Sequence, residues 1–192
     1  DNRGLDQNDF QKISEGIQKV LHREGYEVEM KTVYKGAFHC YVRIPGLLFK
    51  EQLSGHPQEK ILIQLDTEPQ HFEFEPEQFI LNRFDVFTEI PVTPLPLLLA
   101  QKFFAIINRK RSKGRDFYDV VFLLSKNVKP YYDYLKMKLA IDDSTTLKAS
   151  VLDTCAKLNM KEMARDVAPF LFSEADARKV EMFEAYLRQV EL

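Results

Sequence analysis

Apolar positions along the chain follow two different periods, and the switch between them outlines the fold. Phe10, Ile13, Ile17, Val20 and Leu21 fall three and four residues apart, which predicts an amphipathic helix over residues 7–24. Asn8 or Asp9 fits its start and Gly25 its stop. The period then becomes two. Residues 26–35 alternate through Tyr26, Val28 and Met30, with a slip before Val33. Gly36 makes a turn, and residues 37–44 alternate through Phe38, Cys40, Val42 and Ile44. Together these predict an antiparallel hairpin closed by Pro45-Gly46. Residues 47–58 read as an irregular excursion. Lys60 to Leu65 is a third strand with Asp66 at its C-terminal end. Residues 67–76 read as a loop or edge strand, and residues 84–90 as a further strand.

From Thr93 onward the helical period returns. Thr93-Pro94 supplies a hydroxyl cap followed by proline at the first helical position, and this helix runs to about Arg111. Ser112 to Gly114 interrupts it, and a second helix follows from Arg115 to about Ser125. Residues 130–140, 144–158, 160–172 and 174–190 each carry a helical apolar stripe, with Ser144 and Ser173 as caps. The expectation is an α+β protein: a β-containing lobe over residues 1–92 and a helical lobe over residues 93–192, with the border near Pro91 to Pro96.

Composition narrows the function classes. At 192 residues, 45% hydrophobic and with fifteen Phe, the chain can bury a full core. A formal net charge of −2 excludes a uniformly basic nucleic-acid binder, so any basic surface is local. The run Arg109-Lys110-Arg111-Ser112-Lys113-Gly114-Arg115 is that local surface. It reads as a phosphate or RNA contact, or as a solvated helix end favoured by the dipole. Cys40 and Cys155 are isolated, which fits no disulfide framework or zinc site and suits a reducing cytoplasm. His22, His39, His56 and His71 show no metal spacing and read as surface residues. No apolar run reaches the roughly 18 residues of a membrane span.

The candidate chemistry lies between Leu95 and Leu124. Lys102 sits in an otherwise apolar run, where burial without a partner is costly. Gln101, Lys102, Asn108 and Arg109 form one narrow polar stripe on the helix, which lines a cleft or is a solvent-facing seam. In Arg115-Asp116-Phe117-Tyr118-Asp119 the two aspartates share a helical face, and Arg115 can reach Asp119 at the i, i+4 spacing. The dipole of the second helix favours Asp116 for structural reasons alone. An aspartate that reached back to Lys102 would tie the two helices together. Asp66 is one carboxylate at a strand end, a position where loops often converge on a site.

The pattern Leu98-Leu99-Ala100-Gln101-Lys102, Ala105 and Arg109, then Arg115-Asp116-Phe117-Tyr118-Asp119, resembles the distinctive segment of the AbiEii/AbiGii-type nucleotidyltransferases. Gln101 departs from the glutamate common there. The resemblance implies a polymerase-β-like nucleotidyltransferase fold, here a partial lobe of small mixed sheet and helices followed by a helical lobe. It implies transfer of a nucleotide from an NTP to an acceptor hydroxyl, with RNA a candidate acceptor, in a toxin paired with an antitoxin protein or in phage defence. It also implies roles. Asp66 would be the third catalytic carboxylate and a Mg2+ ligand. Lys102 would hold triphosphate oxygens, with Arg109 and Arg115 beside it. Asp116 would orient Lys102, with Asp119 in support.

Such enzymes carry a glycine-containing strand end followed by Asp-x-Asp, whose aspartates hold the metals. This sequence has no Asp-x-Asp; Glu174-Ala175-Asp176 comes nearest, in the helical tail. Residues 1–5 would fit directly behind such a motif, and the first methionine is Met30. The expectation is an N-terminally truncated nucleotidyltransferase whose Mg2+ depends on the missing aspartates. The alternative is a catalytically inactive relative that binds protein or RNA.

Overall fold

In a computed structural model, which describes residues 5–192, the first element is the expected helix, α1 (Gln7–Arg23). Residues 1–4, which begin the segment expected behind an Asp-x-Asp motif, lie outside the described residues. The cap of α1 is Asp6 rather than Asn8 or Asp9: its carboxylate accepts the Asp9 N–H at 2.8 Å. Gly25 ends the helix as expected, in the left-handed conformation at φ 88° that glycine adopts without steric penalty. Strands β1 (Glu29–Val33) and β2 (Phe38–Pro45) form the antiparallel hairpin, and β3 (Lys60–Thr67) pairs antiparallel with β2, giving the order β1-β2-β3. The excursion between β2 and β3 contains one helical turn, α2 (Leu47–Lys50).

Strand alternation decides what this sheet buries. Cys40, Val42 and Phe10 form a core with Ile17, Leu21, Met30, Phe38 and Leu65 around them, so α1 covers the even-numbered face of β2. The rings of Phe10, Tyr34 and Phe38 pack edge-on or tilted, with centroids 5.4–6.2 Å apart. His39, Tyr41 and Arg43 point the other way.

The chain divides after Glu73 into two compact units. The second begins with a hairpin of β4 (Glu77–Arg83) and β5 (Val86–Val92), paired in antiparallel register from Glu77 opposite Val92 to Arg83 opposite Val86. Only the second of these strands follows from the sequence pattern. In β4 the run Phe79-Ile80-Leu81 puts apolar side chains on both faces and hides the period of two. Helix α3 (Leu95–Asn108) begins one residue later than expected: Pro94 is its N-cap, no side chain caps it, and Pro96 lies in its first turn. It ends at Asn108 and not at Arg111, because Arg109 turns to extended backbone at ψ 129°.

Helix α4 (Gly114–Leu124) packs on α3, and the later helices α5 (Tyr132–Leu139), α6 (Ser144–Ala156), α7 (Met160–Val167), α8 (Arg178–Glu181) and α9 (Phe183–Gln189) complete the unit, with α7 and α8 against α4. The expected caps shift here too. Asp143, not Ser144, caps α6 by accepting the N–H groups of Thr145 and Thr146. Ser173 precedes a single 3-10 turn but its hydroxyl caps nothing. Pro169 stops α7 short of residue 172, and the last expected helix is broken into a 3-10 turn, α8 and α9. The core runs through Leu99, Phe103, Phe117, Val120, Leu147, Val151 and Phe183, all fully enclosed, with Phe117 and Phe183 edge to face at 5.0 Å. Cys155 lies in it, and burial pushes its thiol up to about 12. The architecture is α+β, with antiparallel sheets and more helix than strand. Among the described residues no helix is long and apolar enough to cross a membrane.

Candidate functional site

The α3–α4 corner gathers four charged groups that the sequence places far apart. Lys102 lies mid-way along α3, Arg109 at its C-terminal end, and Asp116 and Asp119 on one face of the first two turns of α4. Lys102 Nζ sits 2.6 Å from Asp119 Oδ2 and 3.4 Å from Asp116 Oδ1. Arg109 Nη1 sits 3.0 Å from Asp116 Oδ2, off the axis of a hydrogen bond, so this oxygen is held by charge without an aligned N–H. An aspartate does tie the two helices together through Lys102, as the spacing allowed.

Burial orders the four groups. Asp116 is only 2% exposed, whereas the side chains of Lys102 and Arg109 are 24% and 36% exposed. A buried carboxylate is strongly disfavoured unless cations neutralise it. Two do so here, and the start of α4 adds a favourable dipole. The result is a carboxylate underneath and two cationic heads at the surface, fixed in place from below. Arg115 does not join in. It is exposed and makes no ion pair among the described residues, because Asp119, its expected i+4 partner, faces Lys102 instead. The basic run that leads into Arg115 surrounds the pair. From Lys102 to Asp119 six cations stand against two carboxylates, so the corner attracts anions.

A close approach sets the geometry of α4. A Cβ on Gly114 would lie 1.9 Å from the Met163 carbonyl oxygen, so α7 crosses directly over the first residue of α4. From α7, Asp166 Oδ2 accepts the Gly114 N–H at 2.9 Å and serves as the cap that Lys113 does not provide. No local pattern announces this bond, since the partners are 52 residues apart. Asp166→Ala should lower stability by about 1 kcal/mol, the usual worth of a helix cap, measured as a shifted urea midpoint.

Asp66 belongs to the first unit, on the β3 register opposite His39. His39 Nδ1 lies 2.6 Å from Asp66 Oδ1, and Gln64 Nε2 donates to both carboxylate oxygens at 2.9 Å. His39 is thus a paired, part-buried residue and not a free surface histidine; only the strand register reveals this. The bonds from His39 and Gln64 hold the Asp66 carboxyl below its ordinary 3.8. A depressed carboxylate contributes stability that is present above its unfolded value and lost as pH falls through the lower folded value. Asp66→Asn should therefore lower stability modestly at neutral pH, and the difference from the parent should shrink as pH falls below about 4, as read from urea midpoints from neutral to acid pH.

No three His, Cys, Asp or Glu side chains among the described residues come together to hold a metal ion. At the α3–α4 corner the carboxylates of Asp116 and Asp119 hold the heads of Lys102 and Arg109 in place, an arrangement suited to meeting an anion. A protein-family model described as nucleotidyl transferase AbiEii toxin, type IV toxin–antitoxin system, matches residues 2–188. No curated protein and no solved structure matches the chain.

Proposed function

Because this chain belongs to the AbiEii family of nucleotidyltransferase toxins of type IV toxin–antitoxin systems, we propose that its α3–α4 corner holds the phosphates of an NTP while the nucleotide passes to an acceptor hydroxyl. The observation that carries this reading is Lys102: a cation set in an apolar helix, braced by Asp119 and Asp116, with its head kept at the surface. Such a lysine is already oriented when the triphosphate arrives, so little reorganisation opposes charge stabilisation in the transition state. Arg109 and Arg115 add charge along the same loop. Asp116 acts through the two cations as a positioning residue. RNA is the proposed acceptor, since the run from Arg109 to Arg115 suits a phosphate backbone. Asp66 is the proposed third carboxylate. The proposed partner protein is an antitoxin.

A Mg2+ ion would neutralise the triphosphate in such a transfer, but the described residues do not supply its site. Asp66 is a single carboxylate already engaged by His39 and Gln64, and a phosphate-bound Mg2+ calls for one or two carboxylates with open positions for substrate. The described residues place no second carboxylate beside Asp66 to hold such an ion.

The same shortage favours a second reading, an inactive relative that keeps the basic loop for RNA. Incubation with RNA and NTPs labelled at the α-phosphate, with divalent cations present, separates the two. Label on RNA supports transfer. RNA binding without any NTP binding or label transfer supports the second reading and overturns the first.

A further inference from the structure

We infer that the tip of the β4–β5 hairpin plugs a cleft beside α8 and α9 in a second copy of this chain. The hairpin has unmet apolar surface on both faces. Phe79, Ile80, Val86 and Phe87 are all about half exposed or more, and Phe84 at the turn is 102% exposed. A two-stranded hairpin is marginal in water by itself, and aromatic residues held out from one find their stability in a partner. Phe84 also adopts φ 50°, a left-handed conformation disfavoured for a bulky side chain, and this places the ring at the outermost point of the turn.

The same unit offers a receptor of matching chemistry. Val121, Met182, Ala185 and Tyr186 line a cleft of about 400 Å³ together with Arg178, Lys179 and one carboxylate, Asp176. That volume falls in the range of clefts that take aromatic ligands. Charge is complementary as well. The hairpin and its lead-in carry Glu75, Glu77, Asp85 and Glu89 against Arg83, and Asp85 adjoins the exposed ring. Lys179 is held by Asp176 at 2.9 Å, but Arg178 makes no ion pair among the described residues. The full exposure of Phe84 shows that it does not enter the cleft of its own chain. An acidic hairpin repels nucleic acid, so the occupant is protein. A second copy meets every requirement, because each chain carries both plug and cleft, and reciprocal exchange closes a two-fold pair.

Sedimentation velocity of the full chain over a wide concentration range tests this, with Phe84→Ser and Ala185→Trp as variants. Both positions are exposed, so circular dichroism and melting should match the parent; if Ala185→Trp misfolds, Met182→Glu at the cleft replaces it. The parent should dimerise reversibly, more weakly at high salt. Each variant alone should weaken dimerisation by at least about tenfold, as expected on losing a central aromatic anchor or its pocket. An equimolar mixture of the two variants should recover a one-to-one heterodimer through the one intact plug and cleft, weaker than the parent dimer. A parent that stays monomeric throughout overturns the inference, as do variants that dimerise like the parent or a mixture that fails to complement.

Discussion

Lys102→Ala should lower nucleotide transfer by about 100- to 1,000-fold, the usual effect of losing one pre-positioned donor to a developing charge, while leaving the protein folded. The second half of this expectation comes from the pairing pattern. Removing Lys102 does not strand the buried carboxylate, because Arg109 still faces Asp116 Oδ2 at 3.0 Å. The lost contact to Asp119 is partly exposed, and such pairs contribute about 1 kcal/mol or less. Asp116→Ala is the informative contrast. It takes the shared partner from two cations, and both stability and transfer should suffer. The stability loss should be about 2 kcal/mol, below the 3–5 kcal/mol of a fully buried pair, because both cations can turn to water. Calorimetric titration with NTP, beside urea unfolding of the same variants, separates the two effects. Normal NTP binding by folded Lys102→Ala would remove the lysine from the proposed mechanism. An unfolded variant would make it a structural residue.

Gly114→Ala should be the most destabilising single methyl addition in the second unit. Helix propensity alone predicts the opposite sign, since alanine in place of glycine favours a helix by about 1 kcal/mol. The helix crossing reverses it. The added Cβ would fall 1.9 Å from the Met163 carbonyl oxygen and 3.2 Å from the Val167 nitrogen, both backbone atoms that no rotamer change can move aside. Helix α7 must retreat, and the Asp166 bond to the Gly114 N–H at 2.9 Å stretches with it. Overpacking of this kind costs about 1–3 kcal/mol even where side chains can adjust, so the net loss should be about 3 kcal/mol or more. For a unit of this size that lowers the melting midpoint by roughly 10 °C. Because α4 carries Asp116 and Asp119, nucleotide binding should fall as well. A melting point at or above the parent's would mean that α7 does not rest on Gly114.

The sequence made much of this legible, and where it failed the reasons differ. Helices α1, α3 and α4 and strands β1 to β3 follow from apolar period, because each buries one face and the period reports which. Strand β4 does not show in the pattern because it keeps apolar residues on both faces. The caps of α1, α3 and α6 lie one to three residues from the positions the sequence suggests, since Asn, Asp, Ser, Thr and Pro cluster near each start and only backbone geometry selects among them. Spacing and resemblance point to Lys102, Arg109, Asp116 and Asp119, the four side chains that meet at the α3–α4 corner. Local spacing offers Asp119 to Arg115 because it counts neighbours along one helix and ignores the helix packed against it, which carries Lys102.

What the sequence determined by itself is therefore the local inventory: which segments are helix or strand, that a lysine in an apolar helix needs an acidic partner, and that an Arg-Asp-x-x-Asp block stands near to supply one. Those properties depend on residues within a turn or two of each other, and chain order records them directly. Only the tertiary structure decided that Asp119 takes Lys102 and Asp116 lies beneath both cations, that Asp166 caps Gly114 from 52 residues away, and that His39 braces Asp66 across two strands. Each is a contact between elements brought together by burial of their apolar faces. Hydrophobic burial is non-directional, so the pattern that drives it fixes which faces are covered and leaves the pairing of polar groups to the packing that results.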